Sequence, residues 1–377
     1  MPVTKRQSML LSMNDKYHHC ASVAEAYGCY WLAYYNGAEC TDDQRVVVEQ
    51  WSVDFQMIKR HELEGKTGNP VLLPLRGRLF LLYSEFTDKD ENGQYAPEVS
   101  FRPVDRWKYC DNHLLEIDPS VSGCLGSPEL FTWAHGLLGR CHALEDGKLS
   151  DAHLLVPLYR EKDPLCVLGR LELRKGKEGK LRSPRFLLVD SFGEVPREIA
   201  AVSKWTMGSL GVGAVIQPTL YRKGLELHAF CRNVARKAGD DCRAWHAMKL
   251  NGSWSSIRES VIPNHNNSLC IIDYYGDPLM VYSTKRDRSD LWLENMITRK
   301  RLDLRIPALF GRSSYGYPNI MIDSQQAVHV VHTNHGHIAW HRFEQEYILQ
   351  SLGADPAIPD SFRYKVQAKY GQKMGEE

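Results

Sequence analysis

The feature that most constrains this fold is a hairpin pattern that recurs six times along the chain. Each copy has an apolar strand, a short polar turn and a second strand that is apolar or alternating. Four clear copies begin at Asn69, Ala214, Ser268 and Tyr317. Weaker copies span Ala21–Tyr35 and Leu149–Tyr159. Regularly spaced short strands separated by turn signals predict an all-β protein.

Six similar hairpins favour a six-bladed β-propeller over a two-sheet sandwich, because only radial repetition requires repeated units. The second strands begin near residues 30, 79, 153, 225, 278 and 327, and blades repeat at about 40 to 50 residues. The two longer intervals predict long inter-blade loops within 87–147 and 169–208, with one helical patch at Arg197–Thr206. We predict a single propeller domain over residues 17–342 and a polar C-terminal tail over 343–377.

Charge and hydropathy limit the classes of partner. The 377 residues carry a formal net charge of +1, and no five like charges are consecutive. Binding to nucleic acid requires clustered basic residues that neutralise phosphates, so we expect no nucleic-acid partner. No apolar run approaches the ~18 residues of a membrane helix, so we expect no membrane insertion. The apolar segment Met9–Leu11 is too short for a signal peptide, which predicts cytoplasmic synthesis without one.

The ten cysteines contain no Cys-x-x-Cys pair. Several of them, such as Cys166, Cys231 and Cys270, lie within apolar runs that have the pattern of strands. Free cysteine packs as a small hydrophobic residue. We therefore predict that most of the ten are reduced thiols in the core, as is usual outside oxidising compartments.

Several short motifs follow one another in a characteristic order along the chain. They are His19–Glu25, Gly68–Leu72, Ile216–Thr219 with Arg232, Pro263–Ser268 with Asp273, Asp287–Leu291 and Tyr315–Pro318. In this order the motifs resemble those of the sialidase-like (BNR/Asp-box-related) β-propeller superfamily. The resemblance covers roughly residues 17 to 342 and agrees with the fold that the hairpins predict.

The resemblance implies a carbohydrate-active protein that acts on or recognises an acidic oligo- or polysaccharide, with no cofactor. Exo-glycosidase-type hydrolysis is the favoured reaction. Sialidase-type hydrolysis uses a tyrosine nucleophile with carboxylate partners. This implies Tyr317 as the nucleophile and Glu39, Asp43 and Asp273 as candidate carboxylates. From the residues alone, Tyr317 could equally be a packed aromatic and Asp273 a cap of the Tyr274–Gly276 turn.

Polar residues near strand ends supply candidate substrate contacts. Arg232 and Arg288 end or follow core strands in different blades, so we expect them to converge over the axis and bind a sugar carboxylate. The alternative is that each arginine ties neighbouring blades together through carbonyl groups. The other predicted substrate contacts, at strand starts or in a loop, are His19, Asn69, Gln217 and Asn264.

The chain departs from the sialidase pattern in two places. The Arg-Ile-Pro motif near the N-terminus is absent, with His18 and His19 in that neighbourhood, and the Asp-box is reduced to Ser52–Asp54. A catalytically inactive glycan-binding module or a phage or virion structural propeller is therefore an alternative, and assembly as a homo-oligomer or within a virion stays open. A second alternative is a polysaccharide lyase acting on a uronate-containing glycan, in which His19 or Tyr317 is the base beside an arginine.

Five histidines lie close together near the C-terminus, at positions 329, 332, 335, 337 and 341. His335 and His337 would share one face of a strand, which is compatible with metal binding. The neighbouring sequence offers no cysteine or acidic ligand that would complete a tetrahedral site. We therefore predict no metal site and interpret these histidines as surface or turn residues.

Overall fold

The computed structural model describes residues 6–11, 17–39, 41–89, 94, 109–120, 125–131, 137–139, 143–146, 153–160, 165–173, 185–192, 215–233, 242–306 and 314–354. Within these ranges almost every element is a β-strand, and the strands form six antiparallel sheets. The chain is therefore a six-bladed β-propeller, as the repeated hairpins predict.

Strand β1 (Arg6–Leu11) precedes the first blade in the chain. The first blade consists of β2 (His18–Ala26), β3 (Cys29–Asn36), β4 (Arg45–Trp51) and β5 (Met57–Glu62). The second consists of β6 (Thr67–Leu75), β7 (Arg78–Phe86), β8 (Cys110–Ile117) and β9 (Glu129–Phe131). The third contains β10 (Leu137–Gly139), β11 (Leu144–Asp146), β12 (His153–Arg160), β13 (Leu165–Glu172) and β14 (Arg185–Phe192).

The fourth blade contains β15 (Val215–Lys223), β16 (Glu226–Asn233), β17 (Arg243–Leu250), β18 (Ser253–Trp254) and β19 (Arg258–Pro263). The fifth consists of β20 (Cys270–Tyr274), β21 (Asp277–Tyr282), β22 (Trp292–Asn295) and β23 (Arg301–Asp303). The sixth is built from β24 (Tyr315–Ile322), β25 (Val328–Asn334) and β26 (His337–Phe343), and helix α1 (Gln345–Leu352) follows it.

The ring is closed by the first strand of the chain. Strand β1 pairs with β26, so that Arg6 lies opposite Phe343 and Leu11 opposite Ile338. The inner strands also contact one another around the axis: β2 contacts both β6 and β24, and β15 contacts β12 and β20. Closure of this kind leaves no blade without a neighbour on either side, which is how a propeller buries its sheets.

The hairpin turns have the chemistry that two-residue turns require. Between β6 and β7, Arg76 and Gly77 both have positive φ, at 50° and 73°. This is the backbone twist of a type I′ turn, which matches the twist of the paired strands. Tyr275 and Gly276 form the same kind of turn between β20 and β21.

Four inner strands share one irregularity near their first residues. The pairing register shifts between His19 and Ser22 in β2, Gly68 and Val71 in β6, Ile216 and Thr219 in β15, and Gly316 and Asn319 in β24. The first residues of the four bulges all have positive φ; they are Cys20, Asn69, Gln217 and Tyr317. In three of the four, proline follows, and its missing N–H suits a position that has left the ladder.

In three of the four bulges, the side chain of the residue that follows links adjacent blades. The Ser22 hydroxyl accepts a hydrogen bond from Leu72 N at 3.0 Å, and the Thr219 hydroxyl accepts one from Ile271 N at 3.2 Å. The Asn319 side chain does the same for Val23 N at 3.2 Å. These three bulges therefore have equivalent positions around the axis, and each is held against the next blade.

The structure corrects the predicted register of the third blade. The segment Leu149–Tyr159 was interpreted as a hairpin whose second strand begins near residue 153, whereas His153–Arg160 is a single strand that pairs with Leu165–Glu172. Extra strands β10 and β11 pair with the edge of β12 opposite β13. The pattern failed here because the sequence between these strands, residues 161–164, contains no glycine of the kind that marks most of the other hairpins.

Two elements lie outside the predicted domain limits of 17–342. Strand β1 belongs to the sixth sheet, and helix α1 packs Ile348 and Leu352 into the hydrophobic cluster of the fifth and sixth blades. Helix was expected only in the long intervals, and this prediction is wrong for α1. The predicted helical patch Arg197–Thr206 lies outside the described residues.

The C-terminal histidines are not all surface residues, contrary to prediction. His329, His332 and His341 are completely buried, because they lie on β25 and β26, the two middle strands of the sixth sheet, whose two faces are both covered. In the described parts of the chain, no three His, Cys, Asp or Glu side chains form a group that could hold a metal ion.

The seven described cysteines are free thiols. None of the described helical segments is long and apolar enough to cross a membrane.

Candidate functional site

Two arginines and a tyrosine from different segments meet at the bulged end of the inner strands. Arg232 lies near the end of β16, Arg288 in the connection from β21 to β22, and Tyr317 in the β24 bulge. The guanidinium carbons of Arg232 and Arg288 lie 5.8 Å and 5.4 Å from the centroid of the Tyr317 ring. These are cation–π distances. We refer to Arg232, Arg288, Tyr317 and their contacts Asn266, Gln217 and His19 as the central cluster.

Arg232 is largely buried and its guanidinium is oriented by two carboxamides. Its Nε and Nη2 donate to Asn266 Oδ1 at 2.9 Å and 2.7 Å. Its Nη1 donates to Gln217 Oε1 at 3.0 Å. Both partners are uncharged, so these hydrogen bonds fix the orientation of the guanidinium without placing a negative charge on it.

Gln217 is held at both ends of its carboxamide. Its Oε1 also accepts a hydrogen bond from the Ser268 hydroxyl at 2.5 Å, and its Nε2 donates to the Tyr159 hydroxyl at 3.3 Å. Gln217 is itself the first residue of the β15 bulge, with φ of 53°. Non-glycine residues in this conformation are uncommon and cluster at functional sites.

Arg288 is fixed by the loop that carries it. Its Nη2 donates to the backbone carbonyl of Asn266 at 2.8 Å, and its own carbonyl accepts from Tyr315 N at 2.9 Å. Asp290 organises the loop by accepting bonds from the Ser283 hydroxyl at 2.7 Å and Thr284 N at 3.0 Å. Burial raises the pKa of Asp290, but these hydrogen bonds outweigh that effect and lower the pKa overall. The carboxylate therefore stays ionised and the loop stays anchored.

Aromatic rings line the side of the cluster that faces the first blade. The His19 ring meets the Tyr317 ring edge-on with centroids 4.2 Å apart, and it also contacts Tyr35 and Tyr17. Tyr17 is 43% exposed and lies at the rim. Burial raises the pKa of Tyr17 to about 12; charges on Cys20 and Glu39 add to the rise, and Arg288 opposes it.

Two of the predicted carboxylates lie at the same end of the propeller. Glu39 and Asp43 are exposed residues of the connection between β3 and β4, which begins beside the His18–Asn36 pair. The Asp43 side chain accepts a hydrogen bond from the Thr41 hydroxyl. The charge of Glu39 acts on Tyr17 and Tyr35, two of the tyrosines that contact His19.

The third predicted carboxylate, Asp273, lies at the other end of its strand. It is exposed beside the turn from β20 to β21, where Oδ2 accepts from Gly276 N at 3.2 Å. The residues of the central cluster in this blade precede β20, so about four residues of strand, roughly 13 Å, separate them from Asp273. Asp273 therefore occupies the position of a cap of the Tyr274–Gly276 turn, which was the alternative interpretation from the sequence.

Asn69 and Asn264 have different surroundings. Asn69 occupies in β6 the bulge position that Gln217 occupies in β15. Asn264 is completely buried and ties the loop together: Oδ1 accepts from Asn233 N at 3.0 Å, and Nδ2 donates to Asn267 O at 2.7 Å. Its side chain supports the segment that presents Asn266.

Asn266 contacts both arginines and was not among the residues predicted for the site. Its side chain binds Arg232, its carbonyl binds Arg288, and its N–H donates to Asn233 O at 3.0 Å. Its φ of 60° is a conformation that asparagine tolerates better than most residues. The sequence signal for this backbone conformation was the pair of asparagines at 266 and 267. The dipeptides Asn69-Pro70, Gln217-Pro218 and Tyr317-Pro318 are the corresponding sequence signals for three of the bulges.

The central cluster can attract and orient an anion. Two guanidiniums lie within 6 Å of the centroid of one tyrosine ring, and neutral oxygens accept their hydrogen bonds. A carboxylate placed on such a pair gains charge-assisted hydrogen bonds, which are about twice as strong as neutral ones. Tyr317 and His19 beside this position are groups that can transfer protons.

Neither a family model nor a curated protein matches the sequence. Solved structures with this architecture do match. A sialidase of Trypanosoma rangeli, in complex with sialic acid, aligns with 93% of this chain at 10% identity and a TM-score of 0.58. A protein of unknown function from Dyadobacter fermentans aligns with 91% of the chain at 14% identity and a TM-score of 0.59.

The intramolecular trans-sialidase of Ruminococcus gnavus, in complex with oseltamivir carboxylate, aligns with 90% of the chain at 11% identity and a TM-score of 0.57. The match covers 96% of that enzyme and 100% of the Dyadobacter protein, but only 60% of the Trypanosoma sialidase. At such low identity the likeness concerns the fold. The chain has a sialidase-like β-propeller fold.

Proposed function

We propose that the protein binds an acidic glycan, and that the carboxylate of the glycan contacts Arg232 and Arg288. We further propose that the protein cleaves a glycosidic bond of this glycan and that Tyr317 is the catalytic residue. The observation that carries this proposal is the convergence of both guanidiniums on one tyrosine ring, with neutral oxygens as their partners. The fold supports it, since similar propellers include sialidases, one of them in complex with sialic acid. The substrate class is an oligo- or polysaccharide that contains a carboxylated sugar.

Exo-glycosidase-type hydrolysis is the first candidate reaction. One of the carboxylates Glu39 and Asp43, which both lie in the β3–β4 connection at this end, would accept the proton of the Tyr317 hydroxyl as the tyrosine oxygen attacks the anomeric carbon of the terminal acidic sugar. The other, in its protonated form, would give its proton to the leaving oxygen as the glycosidic bond breaks. Water would then displace the tyrosine oxygen and release the free sugar. Asp273 has no part in this scheme because of its position.

The contact between His19 and Tyr317 favours a second candidate, the elimination reaction of a polysaccharide lyase. A base would remove the proton next to a uronate carboxylate that the arginines neutralise, and the glycosidic C–O bond would break as a double bond forms. His19 and Tyr317, whose rings are 4.2 Å apart, could act as base and acid. The two reactions use the same carboxylate contact and differ in their products.

The binding step is tested by calorimetry with a sialylated oligosaccharide and with a glucuronate-containing oligosaccharide. Arg288→Ala is the main variant because Arg288 is only half-buried, and Arg232→Ala is the second. Losing a hydrogen bond to a charged group should weaken binding about 10- to 150-fold. The control is Arg258→Ala, which removes an exposed arginine on the outer strand β19. If both site variants bind as the wild type does, the proposal is wrong.

The cleavage step is tested by product analysis with wild type and Tyr317→Phe. Hydrolysis yields a free reducing sugar, whereas elimination yields an unsaturated sugar that absorbs ultraviolet light. The phenylalanine keeps the ring that the arginines contact, so affinity should persist while turnover is lost. Binding without any product from the wild type would refute cleavage and identify the protein as a glycan-binding module.

A further inference from the structure

The six residues that define the central cluster include two arginines and no acidic side chain. Within the described residues, neither Arg232 nor Arg288 forms an ion pair with a carboxylate, whereas arginines such as Arg78, Arg299 and Arg305 do. The hydrogen-bond acceptors of the two site arginines are a carbonyl and two carboxamides. Buried arginine is usually paired with an acidic residue, so this arrangement is unusual.

The two carboxamides have shapes that a carboxylate could reproduce. Asn266 Oδ1 accepts from two nitrogens of Arg232, Nε and Nη2, so a carboxylate oxygen in its place would meet the same donors. Gln217 Oε1 accepts from Arg232 and Ser268, which are donors that a glutamate oxygen could also use. A carboxylate in either position would therefore be within reach of an ion pair with Arg232.

We propose that Asn266 and Gln217 determine the specificity of the site for anions, by orienting Arg232 and Arg288 without neutralising them. An aspartate or glutamate in either position would satisfy Arg232 internally and repel an incoming carboxylate. A neutral oxygen leaves that charge to the ligand. This inference rests on the proposed binding of an acidic sugar and identifies the two amides as positioning residues for its carboxylate.

The main test is Asn266→Asp, which conserves size and tolerates the positive φ nearly as well as asparagine. Calorimetry would compare two probes, N-acetylneuraminic acid and its methyl ester, which differ in the negative charge. We expect wild type to bind the acid more tightly than the ester. In Asn266→Asp the affinity for the acid should fall at least about tenfold, the loss of one charged hydrogen bond, with little change for the ester.

The stability of the variant separates this role from a structural one. Because a charge-assisted bond replaces a neutral one, the melting temperature of Asn266→Asp should stay the same or rise while affinity for the acid falls. Asn266→Gly is the matched control: it permits the same φ and keeps the carbonyl that holds Arg288, but introduces no charge. It should reduce acid binding less than Asn266→Asp does.

Gln217→Glu provides an independent second variant, in case Asn266→Asp folds poorly. It should also remove the preference for the acid over the ester. If either variant, correctly folded, keeps the wild-type preference, the inference is wrong. If the wild type itself does not distinguish the acid from the ester, it is the proposed function that fails.

Discussion

Acid should loosen the strand that closes the propeller, because a buried histidine chain fastens it. His332 Nδ1 lies 3.1 Å from the Thr333 carbonyl, which can only accept, so His332 carries its proton there. Its Nε2 therefore accepts from His341 Nε2 at 3.0 Å, and His341 Nδ1 accepts from the Ser8 hydroxyl at 2.8 Å. Ser8 belongs to β1 and both histidines to the sixth blade. This series of hydrogen bonds is complete only while both imidazole rings are neutral.

The sign and size of the effect follow from the pKa values. Burial lowers the pKa of His332 to about 4, and burial with the neighbouring His332 lowers the pKa of His341 well below its usual range. Unfolded histidine titrates near 6.5. The unfolded chain therefore binds more protons below that pH, so this stabilisation is complete above about pH 6.5 and is lost as the pH falls toward 4. For His332 alone, the free energy of unfolding at pH 5 is about 2 kcal/mol lower than it is well above pH 6.5.

The test variant is His332→Gln, which replaces the titrating ring by an amide that can still form a hydrogen bond with His341. Urea unfolding of wild type and variant would be compared at about pH 8 and pH 5. The variant should be less stable at the higher pH, yet its stability should fall by about 2 kcal/mol less on acidification. His335→Gln is the control, since His335 is exposed. If acid destabilises wild type and His332→Gln equally, the reasoning is refuted.

Two further predictions concern the inter-blade bonds and the acidic loop. Thr219→Val keeps the shape of the side chain but leaves the buried Ile271 N–H without its acceptor. Urea unfolding should show that the free energy of unfolding falls by about 1 to 3 kcal/mol, and Thr219→Ser should largely restore it. No decrease in Thr219→Val would show that this bond is dispensable. Gly37→Ala places a Cβ 2.8 Å from the Asp43 carbonyl at a φ of 88°. The loop with Glu39 must then shift, so product formation should fall while calorimetry shows intact binding, and unchanged turnover would exclude that loop from the chemistry.

Local sequence patterns predicted most of the blade structure. An apolar strand, a turn pair such as Arg76-Gly77 and a second apolar strand encode a hairpin within about 20 residues, since side-chain alternation and turn geometry are both local properties. The hairpin prediction failed in the third blade, where the sequence of residues 161–164 contains no such pair. The motif order also predicted the segments that carry Arg232, Arg288 and Tyr317.

Which end of each strand a residue occupies was harder to predict. Asp273 and Asn266 are close in sequence and belong to one motif, but strand β20 separates them. The strand direction decides that Asn266 lies beside the arginines and Asp273 beside a turn. Motif proximity alone carries no such information, which is why Asn264 and Asp273 were selected for the site and Asn266 was not.

Local sequence patterns establish an all-β chain of repeated hairpins, because each hairpin depends on residues that are neighbours along the chain. The closure by β1, the burial of His332 and His341, and the contacts of two arginines with Asn266 arise only when the chain has folded. Each of these joins residues that are distant in sequence or that lie in different blades. Such contacts depend on which strand edge and which polar groups remain unpaired once the ring has formed, and the local patterns do not encode that.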